Sequence, residues 1–202
     1  MARTKAFDTT AVLHRAMKAF GVHGYEGATL PDLLKELGIA RQSLYDTYGT
    51  KRELFIAAVK LYMDGKANML EAMLTEQGAI LPLLEQVFAT MVDTLLHPEL
   101  SSECFIIASA VEEAGRDAEL QDYVQQNQQR IEQVFQSLLE RAIQQQELAA
   151  DEDVTALAQF LAHERLALVF SARAGMDEAR LRTVTRLVLS LVSRHMIDPS
   201  GA

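Results

Sequence analysis

Arg41, Gln42, Ser43 and Tyr45 stand within five residues of one another in the stretch IARQSLYDTYGTKRELF, residues 39–55. Their types suit the edges and backbone of a nucleic acid. An arginine can make a two-pronged contact to guanine and a glutamine can read adenine, because each ends in a planar set of hydrogen-bonding atoms at the spacing of a base edge. A serine hydroxyl can bond a phosphate or a base edge, and a tyrosine can lay its ring on a thymine methyl or send its hydroxyl to a phosphate. Tyr48 and Lys51 follow at the end of this segment and the start of the next, where backbone N–H groups and the helix dipole favour an anion. Taken singly, each is also an ordinary surface residue, and Tyr48 suits a small core as well.

The surrounding sequence contains the devices needed to hold such a face. In TLPDLLKELG, Thr29 can cap a helix, Pro31 is pre-shaped for a first turn and Asp32 completes a capping-box pattern. Gly38 then supplies the positive φ of a tight turn. A second short helix is expected over residues 40–47, closed by Gly49. The two helices across a glycine turn have the arrangement of a helix-turn-helix, in which the first braces the second in the major groove. Leu33, Leu37, Ile39 and Leu44 are expected to face the small core, which turns Arg41, Gln42, Ser43 and Tyr45 outward. Thr50 and Glu53 form another capping box, opening a helix that runs to about residue 75, with Gly65 as a place for a bend. At ~1.5 Å per residue that helix is too long for a compact head and should couple head to body. Ahead of the pair, a helix over residues 8–22 carries Val12, Ala16, Ala19 and Phe20 at helical spacing, with Gly24 after its end. Arg3 and Lys5 are expected to form a mobile basic tail before it.

Further helices are expected at 80–96, 101–114, 118–146, 152–172 and 177–196. The fold class is therefore all-α, about nine helices, with a head at 1–55 and a body at 56–202. Leu157, Phe160, Leu161 and Leu168, and then Leu181, Val184, Val188 and Leu191, make apolar stripes on the last two helices, expected to serve partly as core and partly as a subunit interface. Phe88, Met91, Cys104, Phe105, Phe135 and Phe170 are the side chains that can line an apolar ligand cavity in the body, although such residues at helical spacing also make plain core.

Composition sets the outer limits. The net charge is −9, yet residues 1–62 hold nine bases against six acids, a balance of +3, so the remainder carries −12. A basic head on an acidic body can still attract phosphate, since that attraction is local on the scale of a Debye length of about 8 to 10 Å. The single cysteine, Cys104, agrees with a reducing compartment, and no apolar run reaches the roughly 18 residues of a membrane span. A cytoplasmic protein with no membrane association is expected. Zinc-protease, Gly-rich phosphate-loop and serine-elbow motifs are missing, and His97, His163 and His195 lack the spacing of a metal site. Neither an enzyme, nor a metal, nor a cofactor is expected.

The stretch AFGVHGYEGATLPDLLKELGIARQSLYDTYGTKRELFIAAVKLY resembles the TetR/AcrR family of transcriptional regulators. The likeness covers residues 8–62 and rests on Phe20, Gly24, Tyr25, Thr29, the LGIA turn, the SLYDTYGTKRELF segment and the long fourth helix. It implies a homodimer whose two heads bind a pseudo-palindromic operator in double-stranded DNA, and a C-terminal body that binds a small-molecule inducer and forms the dimer interface. By position it makes Thr29, Arg41, Gln42, Ser43, Tyr45, Tyr48 and Lys51 the DNA contacts. Two departures matter. Ala40 replaces the Ser or Thr that many members carry, removing a side-chain cap. Asp46 and Thr47 stand where others often place Tyr and His, and the Asp46 charge repels phosphate unless it accepts from a cytosine amino group or pairs with a nearby Arg. The region around Cys104 further resembles a subgroup that includes electrophile and metal-stress sensors, which offers a redox-switched regulator as the alternative. A small buried apolar cysteine beside Phe105 and Ile106 is the competing role.

Overall fold

A computed structural model describes residues 8–196 of the chain, so Arg3 and Lys5 lie outside the described residues. The helices, in order, are α1 (Thr9–Gly27), α2 (Leu30–Leu37), α3 (Arg41–Tyr48), α4 (Lys51–Ala72), α5 (Ile80–Leu96), α6 (Leu100–Cys104), α7 (Ile106–Ala114), α8 (Ala118–Gln144), α9 (Val154–Arg173) and α10 (Glu178–His195), with a 3-10 turn at Met73–Thr75. The fold is all-α. The helix expected over 101–114 comes in two pieces, with Phe105 at φ −68°, ψ −11° between them. Gly65 lies inside α4 without interrupting it. The boundary at Gly24 is as expected: its φ of 73° and ψ of 172° end the regular part of α1.

By packing, the chain forms two compact units. One holds the residues up to Gly65 together with Pro98–Val124; the other holds Lys66–His97 together with the residues from Gln125 on. The dividing points fall inside α4 and inside α8.

In the first unit α1 packs on α2, α6 and α7. Val12, Ala16, Ala19 and Phe20 of α1 are buried, as are Leu33, Leu37, Leu44, Leu54 and Phe55. The Phe20 and Phe55 rings meet edge to face at 4.9 Å, and Tyr25 completes a cluster 4.9 Å from Phe55 and 6.3 Å from Phe20. Gly21 brings α1 so close to α6 that a Cβ there would stand 1.8 Å from the Ser102 carbonyl oxygen. Nearby, the buried Ser109 hydroxyl donates to the Phe20 carbonyl at 2.9 Å.

In the second unit α10 packs on α5 and α9, and α5 on α9. Phe88 and Phe135 stack at 6.3 Å in its core. Ala79 gives α5 no side-chain cap, and the Glu147 carboxylate takes that place by accepting from the Ile80 N–H at 2.7 Å. Arg141 donates to the carbonyls of Leu74 and Glu76, 2.9 Å each, and so holds the 3-10 turn.

Arginine–carboxylate sites fasten both units. Arg52 grips Asp117 through Nε and Nη2 at 2.5 and 2.8 Å and reaches Glu119 at 2.9 Å, with Lys60 3.5 Å from Glu119. Arg130 grips Glu71 at 2.5 and 2.6 Å and donates to Asn68 at 2.6 Å. The arginine hydrogen bonds hold the carboxyls of Asp117, Glu119 and Glu71 below the usual range. A carboxyl depressed on folding adds stability above its unfolded pKa of roughly 4, and that contribution disappears as pH falls through the folded value. The unfolding midpoint is therefore expected to be level from neutrality down to about pH 5 and to drop below it. Thermal melts across pH should show a shallower acid drop for Asp117→Asn than for the native chain.

Candidate nucleic-acid interface

The segment that carries Arg41, Gln42, Ser43 and Tyr45 is short, and local chemistry fixes both its ends. Thr29 precedes α2, accepting from the Asp32 N–H at 3.4 Å while its hydroxyl donates to the Asp32 carboxylate at 2.5 Å. Gly38 ends α2 at φ 66°, and the Arg15 side chain donates to the Leu37 carbonyl at 3.1 Å, fastening that turn to α1. Helix α3 then starts at Ala40 without a side-chain cap, as the sequence led one to expect, and closes on Gly49 at φ 81°. Beyond it Thr50 and Glu53 cap each other, with Thr50 N–H to Glu53 at 2.7 Å and Glu53 N–H to Thr50 Oγ1 at 3.3 Å. The Thr50 N–H and the Thr50 hydroxyl, both donating to the Glu53 carboxylate, lower its pKa.

Leu44 is the buried residue of α3, and this anchors the helix so that its opposite side faces outward. Arg41, Gln42 and Tyr45 are exposed, Tyr45 to 44%, and Ser43 is half-exposed. Arg41 has no ion-pair partner among the described residues. Ile39, expected in the core with Leu33, Leu37 and Leu44, is only half-buried. Gln42 donates to the Asp46 carboxylate at 2.7 Å, one turn along the same face.

Two of the expected contacts are placed differently from their neighbours. The Tyr48 hydroxyl donates to the Thr9 carbonyl at 2.8 Å and burial raises its pKa, which withdraws the donor a phosphate would need. Tyr48→Phe is expected to cost about 0.5 to 1.5 kcal/mol of stability and to leave the salt dependence of DNA binding unchanged. Urea unfolding and salt-titrated mobility shifts measure the two effects. The Lys51 ammonium lies 4.4 Å from the Tyr25 ring centroid, so a cation–π contact holds it beside the start of α4.

The positive balance of the head is smaller on this face than the sequence count implies. Arg52 and Lys60 are engaged by Asp117 and Glu119, and Lys18 lies 3.9 Å from Glu103. Arg41 in α3 and Lys51 at the start of α4 have no ion pair among the described residues. Asp117 and Glu119 lie more than sixty residues downstream of Arg52, beyond any local pattern.

Residues 12–58 match the family described as "Bacterial regulatory proteins, tetR family", and residues 81–188 match "Tetracyclin repressor-like, C-terminal domain". The chain is 45% identical over 193 residues to the HTH-type transcriptional regulator YezE of Bacillus subtilis, covering 95% of this chain and all of that one. The chain belongs to the tetR family of bacterial regulatory proteins. It is a DNA-binding transcriptional regulator and not an enzyme. It is also 29% identical over 190 residues to the transcriptional repressor ComR of Escherichia coli, covering 94% of this chain and 90% of that one. A cysteine mutant of the TetR family regulator CifR, solved with 26-bp operator DNA, superposes at a TM-score of 0.80 with 27% identity, over 93% of this chain and 98% of that one.

The expected ligand set of this tetR-family regulator falls in both units. Cys104 and Phe105 belong to the first, and Phe88, Met91, Phe135 and Phe170 to the second. Phe88 and Phe135 are fully buried and fill core, whereas Met91, Phe105 and Phe170 are half-buried. Cys104 is 5% exposed, and the Tyr62 hydroxyl donates to its Sγ at 2.7 Å. It is the last residue of the short α6. An open groove of about 670 Å³ does run between α5 and α10, past Glu85, Ala89, Val92, Thr185, Arg186 and Leu189, and none of the six expected ligand residues lines it.

The residues expected at a subunit interface also divide. Leu161, Leu168, Leu181 and Val188 are buried in the protomer's own core and have no surface to offer a partner. They form the core share of the mixture expected for the α9 and α10 stripes. Leu157, Phe160 and Val184 are half-exposed and Leu191 is 38% exposed. Leu187, which the stripe reading passed over, is 62% exposed on α10.

Proposed function

We propose that the regulator is a homodimeric repressor whose two α3 helices read successive major grooves of a pseudo-palindromic operator. The observation that carries this reading is the division of α3 itself, with Leu44 inward and Arg41, Gln42 and Tyr45 outward. Relatives lend support: ComR is named a repressor, and the CifR structure holds operator DNA. Thr29, Ser43 and Lys51 take supporting contacts at the backbone, and the head at 1–55 serves DNA while the body serves self-association and an inducer. The protein acts in the cytoplasm.

Self-association uses the exposed and half-exposed apolar residues of α9 and α10, Leu157 and Phe160 on α9 and Val184, Leu187 and Leu191 on α10. Leu187→Glu is expected to shift the protein to monomer in sedimentation, because a carboxylate there would lie desolvated in the interface. A folded Leu187→Glu dimer would reject that surface.

An inducer bound by the body acts by preferring a head spacing other than the ~34 Å repeat of major grooves on one face of DNA. A ligand with equal affinity for both spacings would shift nothing. Helix α4, continuous from the capping box into the second unit, carries the displacement. The experiment is mobility shift with fragments recovered by genome-wide footprinting of the tagged protein. Native protein should retard them as a dimer, and fragments bound equally by Arg41→Ala would reject α3 as the reader. The alternative redox switch is not favoured by the burial of Cys104 and its bond to Tyr62. Peroxide is expected to leave operator affinity alike in native protein and in Cys104→Ser.

A further inference from the structure

Asp46 is the residue of α3 that operator binding explains least, since a carboxylate on a DNA-facing helix repels phosphate. Its one contact is with Gln42 at 2.7 Å, and no cation pairs with it among the described residues. Both side chains are exposed. Four residues apart, they lie one above the other on the same face of the helix.

The chemistry of this pair fixes an orientation that a free glutamine lacks. A carboxylate only accepts, so the Gln42 amide nitrogen must face Asp46 and the amide oxygen must point away. One of the two amide hydrogens is thereby used. What remains for DNA is one N–H and the carbonyl oxygen, a single donor beside a single acceptor. Adenine presents the complement of that pair in the major groove, N7 as acceptor and the N6 amino group as donor. Guanine presents two acceptors, N7 and O6, and an unrestrained amide could turn both of its hydrogens toward them. Held by Asp46, Gln42 has only one to give.

We propose that Asp46 is a specificity-determining positioning residue, which sets the Gln42 amide so that this regulator selects adenine and rejects guanine at one position of each half-site. The proposal rests on the reading of α3 as the DNA-reading helix. Asp46 acts through Gln42 and touches no base itself. Its charge also lowers total affinity for every sequence alike, and substitution can separate the two effects.

The test is selection from a DNA duplex library randomised between fixed flanks, using the full-length native protein, Asp46→Asn, Asp46→Ala, Gln42→Ala and the Asp46→Ala/Gln42→Ala pair. Asparagine loses the charge and keeps an oxygen to accept from Gln42, whereas alanine loses both, and both residues are compatible with an exposed helical position. Native protein and Asp46→Asn are expected to select adenine over guanine at one position by about 5-fold or more, the discrimination of one good two-pronged contact. Asp46→Ala is expected to bring adenine and guanine within about 2-fold of each other at that position, with other positions unchanged. In the Gln42→Ala background, removing Asp46 should change total affinity without any further change of base preference.

Adenine preference kept in Asp46→Ala would overturn the positioning role and leave Asp46 as a general repulsive charge. A cytosine preference lost in both Asp46→Asn and Asp46→Ala, with the adenine untouched, would also overturn it and make Asp46 a direct base contact. If Gln42→Ala and Arg41→Ala each selected the same sequences as native protein, the reading of α3 would fall first and this proposal with it. That outcome is distinct from the other two, because there Gln42→Ala still changes the selected sequence.

Discussion

An Arg41→Ala protein is expected to lose specific operator binding almost entirely while folding normally. The guanidinium is exposed, has no ion-pair partner among the described residues and projects from a helix fastened by Leu44. Nothing in the protein's own packing depends on it, so its removal leaves the melting temperature unchanged. A two-pronged arginine–guanine contact contributes about 1 to 3 kcal/mol of discrimination. A symmetric site contains the contact twice, which makes the expected loss about 2 to 6 kcal/mol, or roughly 30-fold and upward. Lys51→Ala should behave differently. A lysine placed at a phosphate weakens binding to all sequences alike and makes the salt dependence shallower, by about 0.9 in the logarithmic slope for each phosphate released. Mobility shifts on the selected operator and on unrelated duplex, repeated across salt concentrations, tell the two apart. Equal losses on both duplexes for Arg41→Ala would turn it from a base reader into a phosphate contact.

Gly21→Ala and Gly65→Ala are expected to move stability in opposite directions, although each replaces a helical glycine by the best helix former. At Gly21 the new methyl carbon would stand 1.8 Å from the Ser102 carbonyl oxygen, 3.0 Å from its carbonyl carbon and 3.3 Å from the Ile106 nitrogen. These are backbone atoms and cannot swing aside. Helix α1 must be pushed off α6, also straining the Ser109 bond to the Phe20 carbonyl. Overpacking of a core costs about 1 to 3 kcal/mol when side chains can adjust, and a clash with backbone belongs at or above that range. The gain of ~1 kcal/mol in helix propensity does not offset it. At Gly65 an added carbon meets nothing within 4 Å, so the propensity gain stands alone. For a chain of this size ~1 kcal/mol shifts the melting temperature by about 2 to 4 °C. Calorimetry should therefore show Gly65→Ala melting a few degrees higher and Gly21→Ala several degrees lower. Equal melting of Gly21→Ala and native protein would mean that α1 and α6 do not approach this closely.

What could be read in advance was whatever the chain decides over three or four residues. Thr29, Gly38, Gly49, Thr50 and Glu53 act on their own neighbours, so both short helices and the exposure of Arg41, Gln42 and Tyr45 follow from local pattern. The bare start of α3 at Ala40 was legible for the same reason. The contacts that were not legible join distant segments. Tyr48 gives its hydroxyl to Thr9, 39 residues away, and Arg52 takes Asp117, 65 residues away. Neither partner leaves a mark near the residue it changes, so the sequence leaves Tyr48 open between DNA contact and core and counts Arg52 among the bases of the head. Helical spacing marks the apolar side of α9 and α10 but not how much of that side the protomer itself covers. Leu181 and Val188 went inward, and Leu187 was left outside. A nearby arginine was the expected partner for Asp46, and the structure gives it Gln42 instead, one helical turn back at i, i+4 spacing.

The reading face of α3 can be interrogated at Tyr45, exposed to 44% and directed away from Leu44. A photoreactive phenylalanine analogue placed there, in full-length protein on a duplex selected from the randomised library, should crosslink to bases within each half-site, while the same analogue at Leu187 should crosslink only to protein. Absence of any DNA crosslink from position 45, with the complex still formed, would show that the protein holds its operator by some other surface.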